Sequence, residues 1–115
     1  MEQIASRLVD PQRVETAILA ENDGKIIGFA AVRIVPCIFF AEPYAELTEL
    51  FVEELYRRQG AGRALVTHAE HLAQQAGARQ MLILTDFYNS TAQALYHSMG
   101  YVHYDIALTK DLGEK

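Results

Sequence analysis

The 115 residues include one cysteine, Cys37, no tryptophan and only three prolines. A single thiol excludes an intrachain disulfide framework. Nothing beside Cys37 activates it, so it reads as a small buried hydrophobe rather than a nucleophile. No apolar run approaches the roughly 20 residues that span a bilayer, and the N-terminus has no signal-peptide apolar segment. The expected compartment is therefore the cytoplasm, with no membrane partner, and the Asn89-Ser90-Thr91 sequon carries no meaning there. Positive charge is in the minority, with 10 Lys and Arg against 15 Asp and Glu for a net charge of −5. This balance argues against nucleic acid as a partner and tilts toward a cationic substrate. Repeats, linkers and low-complexity stretches are also missing, so residues 1–115 read as one domain.

Half of the residues are hydrophobic, and their spacing reads as α-β-β-β-α-β-α-β. Ile4 and Leu8 stand one helical turn apart before Asp10-Pro11, which predicts a short helix over residues 1–8. Val14–Ala20 and Lys25–Val35 are strand-like and flank Asp23-Gly24, a strong hairpin signal. Residues 36–43 read as a loop whose Ile38-Phe39-Phe40 cluster needs a covering surface, and Ala45–Val52 is the third strand. A long amphipathic helix follows from Gly60 to Ala76, with Leu65, Ala69, Leu72, Ala73 and Ala76 facing inward and Gly77 as its stop. Gln80–Thr85 reads as a short strand buried on both faces. Ser90–Met99 is a second helix, with Ser90 and Gln93 as a capping box and Gly100 as its end. Tyr101–Leu108 is the last strand.

The most informative stretch is Arg57-Arg58-Gln59-Gly60-Ala61-Gly62-Arg63, between the third strand and the long helix. Gly60 and Gly62 can adopt φ > 0 and let main-chain amides approach a ligand closely. A helix N-terminus then offers amides without intrahelical partners at the positive end of the dipole, a natural seat for a diphosphate. A simple turn accounts for Gly-x-Gly equally well. The loop is neither a Walker loop, since no Gly-Lys-Ser/Thr is present, nor a dinucleotide fingerprint, since position 65 is Leu. His68 and His71 share a helix face at i, i+3, but no third ligand is evident, so solvent-facing histidines and no metal are expected.

Leu50-Phe51-Val52 with Arg57-x-x-Gly60-x-Gly62 resembles the acetyl-CoA motif of the GCN5-related N-acetyltransferase (GNAT) superfamily. Asn89-x-x-Ala92-x-x-Leu95-Tyr96-x-x-x-Gly100-Tyr101 resembles the second element of that family, in matching order and spacing. The resemblance implies an α/β fold with a mixed, mostly antiparallel sheet and a splayed parallel strand pair flanking the long cofactor-binding helix. It implies an N-acetyltransferase that moves an acetyl group from acetyl-CoA to a primary amine of a small molecule or peptide by direct ternary-complex attack. Main-chain groups of Phe51 and Val52 would pair with the pantetheine arm. Amides of Gln59, Gly60, Ala61, Gly62 and Arg63 would hold the diphosphate, with Arg57, Arg58 or Arg63 adding charge. Asn89 would touch the pantetheine arm, and the Tyr96 phenol would lie near the thioester sulfur as general acid. Glu49 is the first candidate base and Glu46 the second, although a solvated acidic strand accounts for both.

Relative to the family, the chain is expected to lack the N-terminal strand and helix, which build much of the acceptor side. That would leave Val14–Ala20 as an exposed sheet edge, and a homodimer is expected to cover it or the Ile38-Phe39-Phe40 cluster. The final hairpin is reduced to one strand. The abbreviated acceptor side keeps a second class open, a catalytically inactive CoA-binding or regulatory module.

Overall fold

The computed structural model describes residues 3–8, 15–38, 40–103 and 106–113. Five strands form one sheet in the order β1-β2-β3-β4-β5. They are β1 (Gln3–Leu8), β2 (Glu15–Asn22), β3 (Lys25–Val35), β4 (Tyr44–Val52) and β5 (Met81–Ile83), with helices α1 (Ala61–Gln75) and α2 (Ser90–Ser98). Pairing is antiparallel from β1 to β4 and parallel between β4 and β5, the mixed sheet that the sequence predicts. The chain divides into two compact units, Met1–Leu84 and Thr85–Lys115.

The β2–β3 turn places Asp23 at φ 52° and Gly24 at φ 79°, the paired positive dihedrals of a type I′ hairpin. Alternation along the strands directs Ile18 and Ala20 of β2, Ala30 and Val32 of β3, and Ala45 and Leu47 of β4 into the core. Helix α1 packs on β2, β3 and β4 through Ala61, Leu65, Val66, Ala69 and Ala73. Its alanines let the helix axis approach the sheet, while Leu65 and Val66 fill the space between. This docking fixes the start of α1 beside the end of β4, where the two are joined by residues 53–60.

Three expectations are corrected. Residues 3–8 form a strand, not a helix, and pair with β2 from Gln3↔Glu21 to Leu8↔Thr16. A segment this short is marginal as an isolated helix, whereas the open ladder of β2 satisfies its backbone. The N-terminal strand is therefore present, β2 is no exposed edge, and the edge-based reason for a dimer falls; residues 9–14 alone connect β1 to β2. Second, the strand expected over Gln80–Thr85 is shortened to β5 and is not buried on both faces: among the described residues it pairs with β4 alone, Leu82 is 39% exposed, and Leu84 beyond its end is 58% exposed. Third, Tyr101–His103 and Ile106–Leu108 carry no strand, while Tyr104 and Asp105 of that expected strand lie outside the described residues. Apolar alternation does not make a strand where no ladder reaches it. Of the loop cluster, Ile38 and Phe40 are exposed and Phe39 lies outside the described residues.

Candidate functional site

Strand β4 changes partners along its length. Its first half is paired with β5 from Ala45↔Met81 to Leu47↔Ile83, and the pairing stops there. At the same point β4 carries a bulge: Val32 opposes Leu47 while Ala31 opposes Glu49, so Thr48 is the extra residue. The Thr48 hydroxyl donates to the Glu15 carboxylate on β2 and lies 3.3 Å from the Ala31 carbonyl. Beyond the bulge β4 continues along β3 to Val52, and among the described residues no strand pairs with its other edge there. Thr48→Val is expected to lower stability by about 1.5 kcal/mol, the scale of a hydrogen bond to a charged group. Thr48→Ser should stay within roughly 0.5 kcal/mol of the parent. Urea midpoints that do not separate Val from the parent would remove the clasp.

Main-chain groups alternate between strand edges. The Phe51 carbonyl oxygen stands 2.7 Å from where a Cβ on Gly28 would sit, so it faces β3. The Val52 carbonyl instead accepts from Arg57 Nε at 2.8 Å, away from β3. Leu50 and Val52 thus direct their main-chain groups away from β3, whereas the Phe51 carbonyl, expected to meet a pantetheine arm, points toward β3.

The strand leads through a 3₁₀ turn, Glu54–Tyr56, into a loop where Arg58 has φ 64° and Gly60 φ 92°. Gly60 stands at the N-cap position of α1, where it has no side chain to cover the first amides, and the first helical bond runs from the Ala64 amide to the Gly60 carbonyl at 3.0 Å. The Ala61 and Gly62 amides precede that bond, at the positive end of a 15-residue helix. A Cβ on Gly60 would meet nothing within 4 Å. Glycine is required there by its dihedral, and the space above the helix start is open. Of the two glycines only Gly60 uses the freedom of positive φ; Gly62 lies within the first helical turn.

The cations of the loop separate in role. Arg57 folds back onto the strand, its guanidinium 5.8 Å from the Phe51 ring centroid as well as on the Val52 carbonyl. Arg58 and Arg63 are exposed, and Gln59 Nε2 donates to the Leu55 carbonyl at 3.3 Å. A depression of about 640 Å³ continues from Gly60 along α1, lined by Arg63, Ala64, Thr67, His68 and His71. His71 is exposed as expected, whereas His68 is half-buried along the depression, its Nε2 covered and without a hydrogen-bond partner among the described residues. Among the described residues no three His, Cys, Asp or Glu side chains group as metal ligands. Also among them, no helix is long and apolar enough to cross a membrane.

An open strand edge running into an uncapped helix start suits a ligand with an amide-bearing arm and a diphosphate, as coenzyme A has. Residues 2–101 match the acetyltransferase (GNAT) family. The chain belongs to that family.

This GNAT chain is 34% identical over 83 residues to N-acetyltransferase family 8 member 3 of Rattus norvegicus, covering 72% of the chain and 36% of that protein. It is 31% identical over 98 residues to the D-amino-acid N-acetyltransferase HPA3 of Saccharomyces cerevisiae, covering 84% and 61%. The chain thus spans about a third to three fifths of the length of these relatives. Among solved structures, the aminoglycoside N-acetyltransferase AAC(6')-Iy in complex with CoA superposes with a TM-score of 0.79 at 21% identity, covering 88% of this chain and 78% of that one. That likeness is one of fold.

In the second unit, Asn89 caps α2, its Oδ1 accepting from the Ala92 amide at 3.1 Å. The cap is therefore Asn89 rather than Ser90. Gln93 closes no capping box; its Nε2 donates to the Asp86 and Phe87 carbonyls at 3.1 and 2.8 Å. Tyr96 is the buried residue of α2, with its ring 6.1 Å from that of Tyr101. Burial raises its pKa above the ordinary 10, so the phenol is protonated throughout the neutral range.

The two candidate bases differ sharply. Glu46 is buried, and its Oε1 accepts from Arg33 Nε at 2.8 Å and Nη2 at 2.6 Å. That geometry makes it half of an ion pair that fastens β4 to β3. Glu49, beyond the bulge, is exposed and stands opposite Ala31.

Proposed function

We propose that the chain is an acetyl-CoA-dependent N-acetyltransferase acting on a primary amine of a small molecule or peptide. The observation that carries this reading is the continuity, within residues 48–63, of a β4 edge unpaired among the described residues and a glycine-led helix start. Acetyl-CoA supplies an acetyl group already activated as a thioester. The main chains of Leu50 and Val52 pair with the pantetheine arm, and the Val52 amide faces the thioester carbonyl where negative charge develops. The Ala61 and Gly62 amides hold the diphosphate, with Arg58 and Arg63 adding charge.

An alkylammonium near pKa ~10.4 costs roughly 4–5 kcal/mol to deprotonate at pH 7. Glu49 takes that proton, directly or through water. Glu46 is the weaker candidate because Arg33 occupies it. As the new N–C bond forms and the C–S bond breaks, Tyr96 gives its proton to the departing thiolate. Transfer is direct, with no covalent enzyme intermediate, and alignment of the two reactants supplies much of the rate.

The test is thermal unfolding with and without coenzyme A, followed by thiol release from acetyl-CoA over a panel of amines. Ligand at 100-fold over Kd should add about 2.7 kcal/mol of stability. Absence of that shift would sink the reading. A shift with no thiol release from any amine would assign the chain to the CoA-binding modules instead.

A further inference from the structure

We propose that Gly28 and Arg57 are positioning residues that clamp the end of β4 at the depth the acetyl-CoA slot requires. The inference rests on the cofactor reading above and adds two side-chain positions to it.

Gly28 lies on β3 opposite Val52 and is buried. A Cβ there would sit 2.7 Å from the Phe51 carbonyl oxygen and 3.3 Å from both Cα and Cγ2 of Val52. Two of those atoms are backbone and cannot swing aside. A side chain at position 28 would therefore lift Phe51 and Val52 off β3. Glycine inside a strand, otherwise a weakening choice, marks a close backbone approach.

Arg57 closes on the same residues from beyond the turn. Its Nε bonds the Val52 carbonyl, and its guanidinium stands on the Phe51 ring, which packs 6.0 Å from the ring of Phe29. The Glu53 amide donates to the Ile27 carbonyl at 2.7 Å, tying the exit of the strand to β3 as well. The end of β4 at Phe51 and Val52 is thus held by the absent side chain of Gly28 on β3 and by the Arg57 guanidinium beyond the turn. Arg57 acts through Val52 rather than as a phosphate cation.

The experiment compares binding of coenzyme A with binding of 3′-phosphoadenosine 5′-diphosphate, its nucleotide without the pantetheine arm, by calorimetry. In Gly28→Ala the Kd for coenzyme A should rise about tenfold to a hundredfold, the scale on which a ~1 Å misplacement acts. The nucleotide, seated on the helix start, should bind within about twofold of the parent. Arg57→Leu, an exposed position tolerant of substitution, should give the same selective loss and serves where Gly28→Ala does not fold. A phosphate role for Arg57 predicts equal weakening of both ligands and would overturn its assignment. A folded Gly28→Ala that binds coenzyme A like the parent would overturn the clamp while leaving the cofactor reading intact. A parent protein that binds neither compound overturns both.

Discussion

Gly62→Asp is expected to raise the melting temperature and to remove coenzyme A binding. Gly62 is the second residue of α1, with ordinary helical backbone. Replacing glycine inside a helix gains a few tenths of a kcal/mol in propensity. A carboxylate in the first turn adds about 0.3–1 kcal/mol through the helix dipole. The same carboxylate would stand within a few ångströms of the diphosphate. Two unit charges ~4 Å apart near a protein surface repel by about 4 kcal/mol, which corresponds to roughly a thousandfold in Kd. Differential scanning fluorimetry and calorimetry on one preparation would read both effects. A variant that is stabilised yet still binds coenzyme A within a few-fold would locate the diphosphate elsewhere.

Tyr96→Phe should lower kcat by about a hundredfold or more, the usual contribution of a positioned acid, with the Kd of coenzyme A nearly unchanged. The substitution keeps the ring, and with it the packing against Tyr101. A second readout separates chemistry from packing. Burial raises the Tyr96 pKa in the folded chain, so above pH ~10 the folded state holds more protons than the unfolded one. Its stabilising contribution is complete below that pH and is lost as pH rises through the folded value. Tyr96→Phe should abolish this alkaline loss as well. Full turnover in the variant would remove Tyr96 from the mechanism, whatever the alkaline limb does.

Much of the site was legible because its signals are local. Gly60 in the left-handed region, a helix opening immediately after it and a type I′ turn at Asp23-Gly24 are backbone requirements written in one or two residues. Asn89 as a cap is equally local: Asn89 and Ser90 can both take that role, and only the backbone path decides between them. The errors cluster where pairing decides the outcome. Ile4 and Leu8 satisfy a helical spacing and a strand equally, and β2 settled the matter by offering a ladder. Tyr101–Leu108 has strand-like alternation but gains no such partner in its described residues.

Sequence alone determined the α/β pattern, the resemblance to the GNAT family and the glycine-led start of the long helix α1. Glycine spacing and capping chemistry act over a few residues and need no distant partner. Tertiary structure decided where the candidate groups point: Glu46 bonds Arg33, Arg57 bonds the Val52 carbonyl, and the Phe51 carbonyl faces β3. Each of those outcomes depends on strand register and on the extra residue at Thr48. A shift of one residue turns every backbone group to the opposite edge, and the pattern of one chain segment does not encode where its neighbour will stop.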